Sequence, residues 1–180
     1  MDSNNILGID LGTTYSVCAY INEDGQPEVI ENCDGNRLTP SVVLIEDGHV
    51  NVGEIAKEKA ITQSEDVIST VKNYMGRKEV FKVSSGAEYT PEIISGYIIK
   101  KIVQDAEKKT KKKFGQVVIT VPAYFSDAQR IATDQAAKLA GVTLAKSLLN
   151  EPTAAAIYFV HKKKIKKREY HGLRSWRRYF

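Results

Sequence analysis

Five short β-type runs come before any helical pattern in this chain, and that order excludes the common α/β openings. Ile6–Asp10 is an apolar run that reads as a strand. Gly12, Thr13 and Thr14 supply a tight turn, and Tyr15–Ile21 is a second run rich in β-formers. Asp24-Gly25 has hairpin chemistry and precedes a third strand around Glu28–Ile30. Asp34-Gly35-Asn36 is a further turn. Pro40 then introduces Ser41–Ile45, and Asp47-Gly48 turns the chain into His49–Val52. A doubly wound dinucleotide fold places a helix directly after its first strand. A meander of strands in that position predicts a different α/β sheet.

The helices follow. Glu54–Ile61 and a segment around Asp66–Met75 read as helical. Thr90-Pro91 is a helix start, with Thr90 as cap and Pro91 in the first turn. Ile94, Tyr97, Ile98 and Ile102 then form one apolar stripe, in a helix expected to reach the lysines ending at Lys113. Gln116–Val121 reads as a buried strand. Ser126 and Gln129 form a capping-box pattern, and Gly141 stops that helix. Leu144–Leu149 is another strand candidate, and Glu151-Pro152 opens a last helix through Ala156.

Composition narrows the classes. A chain of 180 residues, 42% hydrophobic, can bury one domain or two small subdomains. No run approaches the roughly 18 apolar residues of a membrane span. The first residues carry neither the basic nor the apolar part of a secretory signal, so a cytoplasmic location and no membrane partner are expected. Cys18 and Cys33 stand in unrelated contexts and suggest no zinc site. The net charge of +4 hides a break. Residues 161–180 hold nine of the 26 Lys and Arg and one of the 22 acids, leaving 17 basic and 21 acidic residues in 1–160.

Three places carry chemistry. In residues 9–15 an acid, Asp10, ends a strand, and Gly12, Thr13 and Thr14 follow before Tyr15. Gly12 allows close backbone approach, successive N–H groups can cradle an anion, and Asp10 can hold Mg²⁺ directly or through water. A plain hairpin with a polar turn explains the same residues. Glu151 lies where a strand gives way to a helix. It could order a metal-bound water or accept a proton, or merely favour the helix dipole. Lys72 could reach a phosphoryl group or snorkel to solvent. Pro122 by itself marks only a strand end.

A resemblance decides between these. IDLGTTYS, VKNYMGR, VITVPAYFSDAQRIATDQAAKLAG and NEPTAAA occur in the order and wording of Hsp70-family chaperones of the DnaK type, over about residues 4–157. The resemblance implies an actin-like, RNase H-like ATPase fold of class α/β, with residues 1–160 as its first lobe, a mixed sheet with flanking helices. It implies ATP or ADP and Mg²⁺ as cofactors. Asp10 would sit near Mg²⁺ through water, and Gly12, Thr13, Thr14 and Tyr15 would form the first phosphate loop. Lys72 would place the attacking water and stabilise charge at the γ-phosphate. Glu151 would belong to the metal and water network. Pro122 and Arg130 would link nucleotide state to a distant peptide-binding domain. Implied partners are unfolded polypeptides, a J-domain co-chaperone and a nucleotide-exchange factor; nucleic acid is not an expected partner. Two departures stand out. Gly76–Pro91 is short, as in Gram-positive-type bacterial DnaK, and Lys72 is followed by Asn73 where the family usually has Arg.

Residues 161–180 do not resemble the family. The family's second phosphate motif, D-L-G-G-G-T-F, is expected soon after Ala156. Shifting Leu173–Phe180 forward by one nucleotide is compatible with that motif, because Trp176, Arg177 and Arg178 can each become Gly. A frameshift near the Lys162–Lys164 run is therefore expected to have produced the basic tail. The expectation for the chain as written is half of a nucleotide site, with weak nucleotide binding and negligible turnover. A basic tail that binds acidic partners is the rival explanation. A sugar kinase or an actin-like filament protein would share the fold, but VPAYFSDAQR and NEPTAAA argue against both.

Overall fold

The computed structural model describes residues 5–163. The strands are β1 (Ile6–Asp10), β2 (Tyr15–Ile21), β3 (Pro27–Val29), β4 (Thr39–Pro40), β5 (Val42–Glu46), β6 (His49–Val52), β7 (Val67–Ser69), β8 (Phe81–Lys82), β9 (Glu88–Tyr89), β10 (Gln116–Val121), β11 (Thr143–Leu144) and β12 (Leu149–Asn150). The helices are α1 (Glu54–Lys59), α2 (Pro91–Thr110), α3 (Asp127–Leu139) and α4 (Glu151–Lys163). Residues 164–180, most of the tail expected to arise from the frameshift, lie outside the described residues.

The main sheet runs β11-β10-β1-β2-β3, with β12 also on β10 and β4 on β2. β10 lies parallel to β1, and β11 and β12 lie parallel to β10, while β2 is antiparallel to β1. This is the mixed sheet with flanking helices that the resemblance implies. Alternate residues Leu7 and Ile9 of β1, and Val117, Ile119 and Val121 of β10, are fully buried. Leu7, Ile9, Val117 and Ile119 share one core with Ile94, Ile98 and Ile102 of α2 and Ala132 and Ala136 of α3. Gly96 lets these two helices approach closely: a Cβ there would lie 3.1 Å from Leu139 Cβ. A second sheet, β6-β5-β7, and a β8-β9 hairpin complete the fold. The β5–β6 turn has positive φ at both Asp47 (49°) and Gly48 (77°), as a two-residue hairpin turn of the primed type demands.

Four local expectations need correction. Asp66–Met75 is not a helix. Val67 and Ile68 are β-branched and pair antiparallel with Leu44 and Val43 of β5. Thr70 then takes φ 55°, and only Val71–Tyr74 coils, as one 3-10 turn. Leu144–Leu149 is not one strand; the chain pairs with the start of β10, leaves the sheet and returns to the end of β10 as β12. The long helix stops at Thr110 rather than near Lys113. Lys111 adopts φ 59°, and Glu107 accepts from Phe114 N–H at 3.1 Å, so the buried Phe114 ring can meet Tyr20 edge-on. Thr90 precedes that helix as expected, but its side chain makes no capping bond. The Ser126–Gln129 capping box is present, and Gly141 follows α3 at φ 84°.

Candidate functional site

Three parallel strands end on one edge of the main sheet. β1 ends at Asp10, β10 at Val121 and β12 at Asn150. Open parallel sheets bind ligands beyond such carboxyl ends. Asp10 is in register with Thr120 of β10, and Thr120 Oγ1 donates to Asp10 Oδ1 at 2.7 Å. Beyond β10 the chain turns at Pro122, whose carbonyl accepts from Phe125 N–H at 3.1 Å. Beyond β12 it enters α4 directly at Glu151.

Lys72 reaches this edge from the 3-10 turn. Its neighbours Val71 and Met75 are buried and anchor the turn in the core. Gly76 presses the turn onto the start of α3: a Cβ there would lie 2.8 Å from Gln129 N. Lys72 Nζ donates to Glu151 Oε1 at 2.7 Å and stands 5.9 Å from the Phe125 ring centroid. The Lys72 side chain is 11% exposed and that of Glu151 39%, so the carboxylate faces water more than the ammonium does. The lysine and carboxylate line a cleft of about 370 Å³ together with Thr13, Arg77, Pro122 and Phe125. Two cations face one carboxylate there, which favours an anionic ligand.

The other expected residues take distinct places. Gly12 sits in a turn so tight that a Cβ would lie 2.1 Å from Tyr15 O. Thr14 is exposed, and its carbonyl accepts from Ser41 N–H at 2.9 Å. Tyr15 turns away to α1, where its hydroxyl accepts from Lys57 Nζ at 2.9 Å; this bond holds the Lys57 ammonium above its ordinary range. Arg130 does not line the cleft. Its guanidinium donates to Phe125 O at 3.2 Å and to Asn150 Oδ1 at 2.8 Å, tying the Pro122 turn to the residue before Glu151. Burial pushes the Cys18 thiol up to about 12, in keeping with a small buried hydrophobe.

Sequence reasoning on single motifs did not find Thr120, Arg77, Phe125 or Gly76. Only the parallel pairing of β1 with β10 puts Thr120 beside Asp10, and no local pattern announces that register. Gly76 was open to notice as a glycine two residues after an aromatic, but its partner Gln129 lies in another element.

The sheet order, the antiparallel second strand and an acid at the end of the first define a partial actin-like ATPase fold. The chain belongs to the Hsp70 protein family, whose sequence model matches residues 6–85 and 78–170. That makes it chaperone-family sequence from an ATP-binding domain. The two matches overlap at residues 78–85, within Gly76–Pro91, and the second match runs past the composition break at residue 161. Among the described residues no helix is long and apolar enough to cross a membrane.

Proposed function

We propose that the cleft at the strand ends receives the phosphates of ATP, and that this domain serves a DnaK-type chaperone in which ATP hydrolysis is coupled to the binding of unfolded polypeptides. The carrying observation is the Lys72–Glu151 pair at 2.7 Å, in one cleft with Thr13, three residues after Asp10 ends β1. The donor set suits a phosphate: Lys72 and Arg77 bring charge and Thr13 a hydroxyl.

Among the described residues no three His, Cys, Asp or Glu side chains could hold a metal ion together. Mg²⁺ does not need such a cage; it keeps several waters and takes one or two carboxylates plus phosphate oxygens. Asp10 and Glu151 are the carboxylates that would hold it. Once bound, it would neutralise charge on the phosphates. Lys72 would act as a point charge at the terminal phosphate, and Glu151 would orient water or accept a proton. Pro122 and Arg130 would carry the nucleotide state outward, toward a J-domain partner, an exchange factor and the peptide-binding part. A cytoplasmic location accords with these roles.

The test is titration of the chain with Mg²⁺-ATP and with inorganic tripolyphosphate. Lys72→Ala is expected to weaken both at least tenfold, about 1.4 kcal/mol. Equal affinity in the variant would remove the phosphate assignment. For the tail, we propose the frameshift near Lys162–Lys164. The coding DNA read one nucleotide forward from there should spell the second glycine motif, and any other text ends that idea.

A further inference from the structure

Gly12 engages both its backbone polar groups with two buried serines, Ser16 of β2 and Ser41 between β4 and β5. Its N–H donates to Ser16 Oγ at 3.2 Å, and its carbonyl accepts from Ser41 Oγ at 2.9 Å. The two hydroxyl oxygens lie 2.9 Å apart, and each serine is 1% exposed. Counting protons gives the direction. A hydroxyl has one hydrogen. That of Ser41 goes to the Gly12 carbonyl, which can only accept, so Ser16 must donate to Ser41. The bonds close a ring: Gly12 N–H to Ser16, Ser16 to Ser41, Ser41 back to the Gly12 carbonyl. Ser41 also gives its N–H to the Thr14 carbonyl at 2.9 Å.

Peptide planarity turns this ring into an aiming device. The Gly12 carbonyl shares a rigid plane with Thr13 N–H, and the Thr14 carbonyl shares one with Tyr15 N–H. Holding each carbonyl fixes the opposite direction of its N–H. Ser41 holds both carbonyls.

Resting on the phosphate assignment above, we infer that Ser16 and Ser41 are positioning residues, which aim the Thr13 and Tyr15 N–H groups at a phosphoryl oxygen. Gly12 then serves the loop by fitting the ring rather than by donating to the phosphate, since its N–H is already engaged. Both serines are buried and the ring is neutral, so it stays aimed before any ligand arrives.

The experiment uses the full chain, inorganic tripolyphosphate with Mg²⁺, and amide NMR. In the unaltered chain the Gly12 amide should exchange slowly, and the Thr13 and Tyr15 amides should shift on titration. Ser41→Ala should weaken triphosphate about tenfold and Ser16→Ala about threefold, with the double variant no worse than Ser41→Ala. Ser41→Thr, which keeps the hydroxyl, should recover most of the affinity. If Ser41→Ala lowers the melting temperature but leaves affinity unchanged, the ring is only structural and the inference is overturned. If Ser41→Ala does not fold, the amides of the unaltered chain decide: a Gly12 amide that exchanges fast, or Thr13 and Tyr15 amides that ignore the titrant, overturns it. Lys72→Ala separates the two levels. Weakening by Lys72→Ala but not by Ser41→Ala sinks the ring alone, whereas no response to triphosphate in the unaltered chain sinks the phosphate assignment beneath it.

Discussion

The Gly12 loop and the Lys72–Glu151 arm face the same edge of the sheet but are built on opposite principles. The loop is held by neutral, buried groups within residues 12–41, and its working parts are backbone atoms. The arm joins two charged side chains 79 residues apart, and Glu151 remains substantially exposed. Buried neutral networks are rigid because each lost partner strands a polar group. An ion pair with water at its carboxylate contributes little more than the about 0–1 kcal/mol of an exposed one and can be exchanged for a ligand. The difference teaches that one half of the site is scaffold while the other is a latch that a phosphate can open.

The sharpest way to break that contrast is Gly12→Ala. A Cβ placed 2.1 Å from Tyr15 O cannot be absorbed by a flexible side chain, because the obstacle is backbone. The expected loss is about 3 kcal/mol, or about 10 °C in the melting temperature for a domain of this size. A variant that melts within a degree or two of the parent would show that the loop is not scaffold.

Arg130→Ala probes whether the arm has a scaffold of its own. The guanidinium holds the Phe125 carbonyl and the Asn150 side chain, and so sets where Glu151 begins α4. Losing three charge-assisted bonds, a long one of 3.5 Å to the Ala123 carbonyl included, should cost about 2 kcal/mol in denaturant unfolding. Arg130→Lys should restore less than half, since an ammonium cannot reproduce the fork. Full recovery by Lys would reduce the contact to simple charge.

Glu151→Gln should move binding in the other direction. With its partner neutral, Lys72 is free to meet an anion. Tripolyphosphate without Mg²⁺ should bind about threefold more tightly. The Mg²⁺ dependence should shrink as well, because one of the two available carboxylates is gone. Weaker binding without Mg²⁺ would mean that Glu151 organises Lys72 rather than masking it.

These two regions were unequally legible in the sequence. Asp10, Gly12 and the β1–β2 meander follow from short-range patterns, because strand alternation and turn chemistry are local. Lys72 and Glu151 carried no local signal that outweighed a snorkelling lysine and a helix-start acid; only the resemblance joined them. The Asp66–Met75 segment misled because pairing of Val67 and Ile68 with β5 overrode a helix-like period. Thr120 was invisible, since the parallel register joins residues 110 apart in sequence and leaves no local pattern. The serine ring was equally hidden: Ser41 reads as one more residue of a β-run, and only pairing of β4 beside β2 brings it to Ser16.

The smallest expected effect concerns how the arm is rooted. Asp66 stands just before β7, the strand that leads to Lys72. Its carboxylate accepts from Ser84 N–H at 2.8 Å, and the Ser84 side chain and backbone hold it below the ordinary carboxylate range. A depressed folded value means that the bond stabilises above the unfolded pKa and is lost as pH falls through the folded one. Melting temperatures of the chain and of Asp66→Asn should therefore differ most near neutrality. The gap should close as pH falls below the ordinary carboxylate value of about 3.9 and through the lowered folded one. The Gly12 ring has no titrating group, so the Gly12 amide should keep its slow exchange over that range while amides near Ser84 open. A gap that stays constant with pH would mean that Asp66 acts through shape rather than charge, and would leave the arm's root as neutral as the loop.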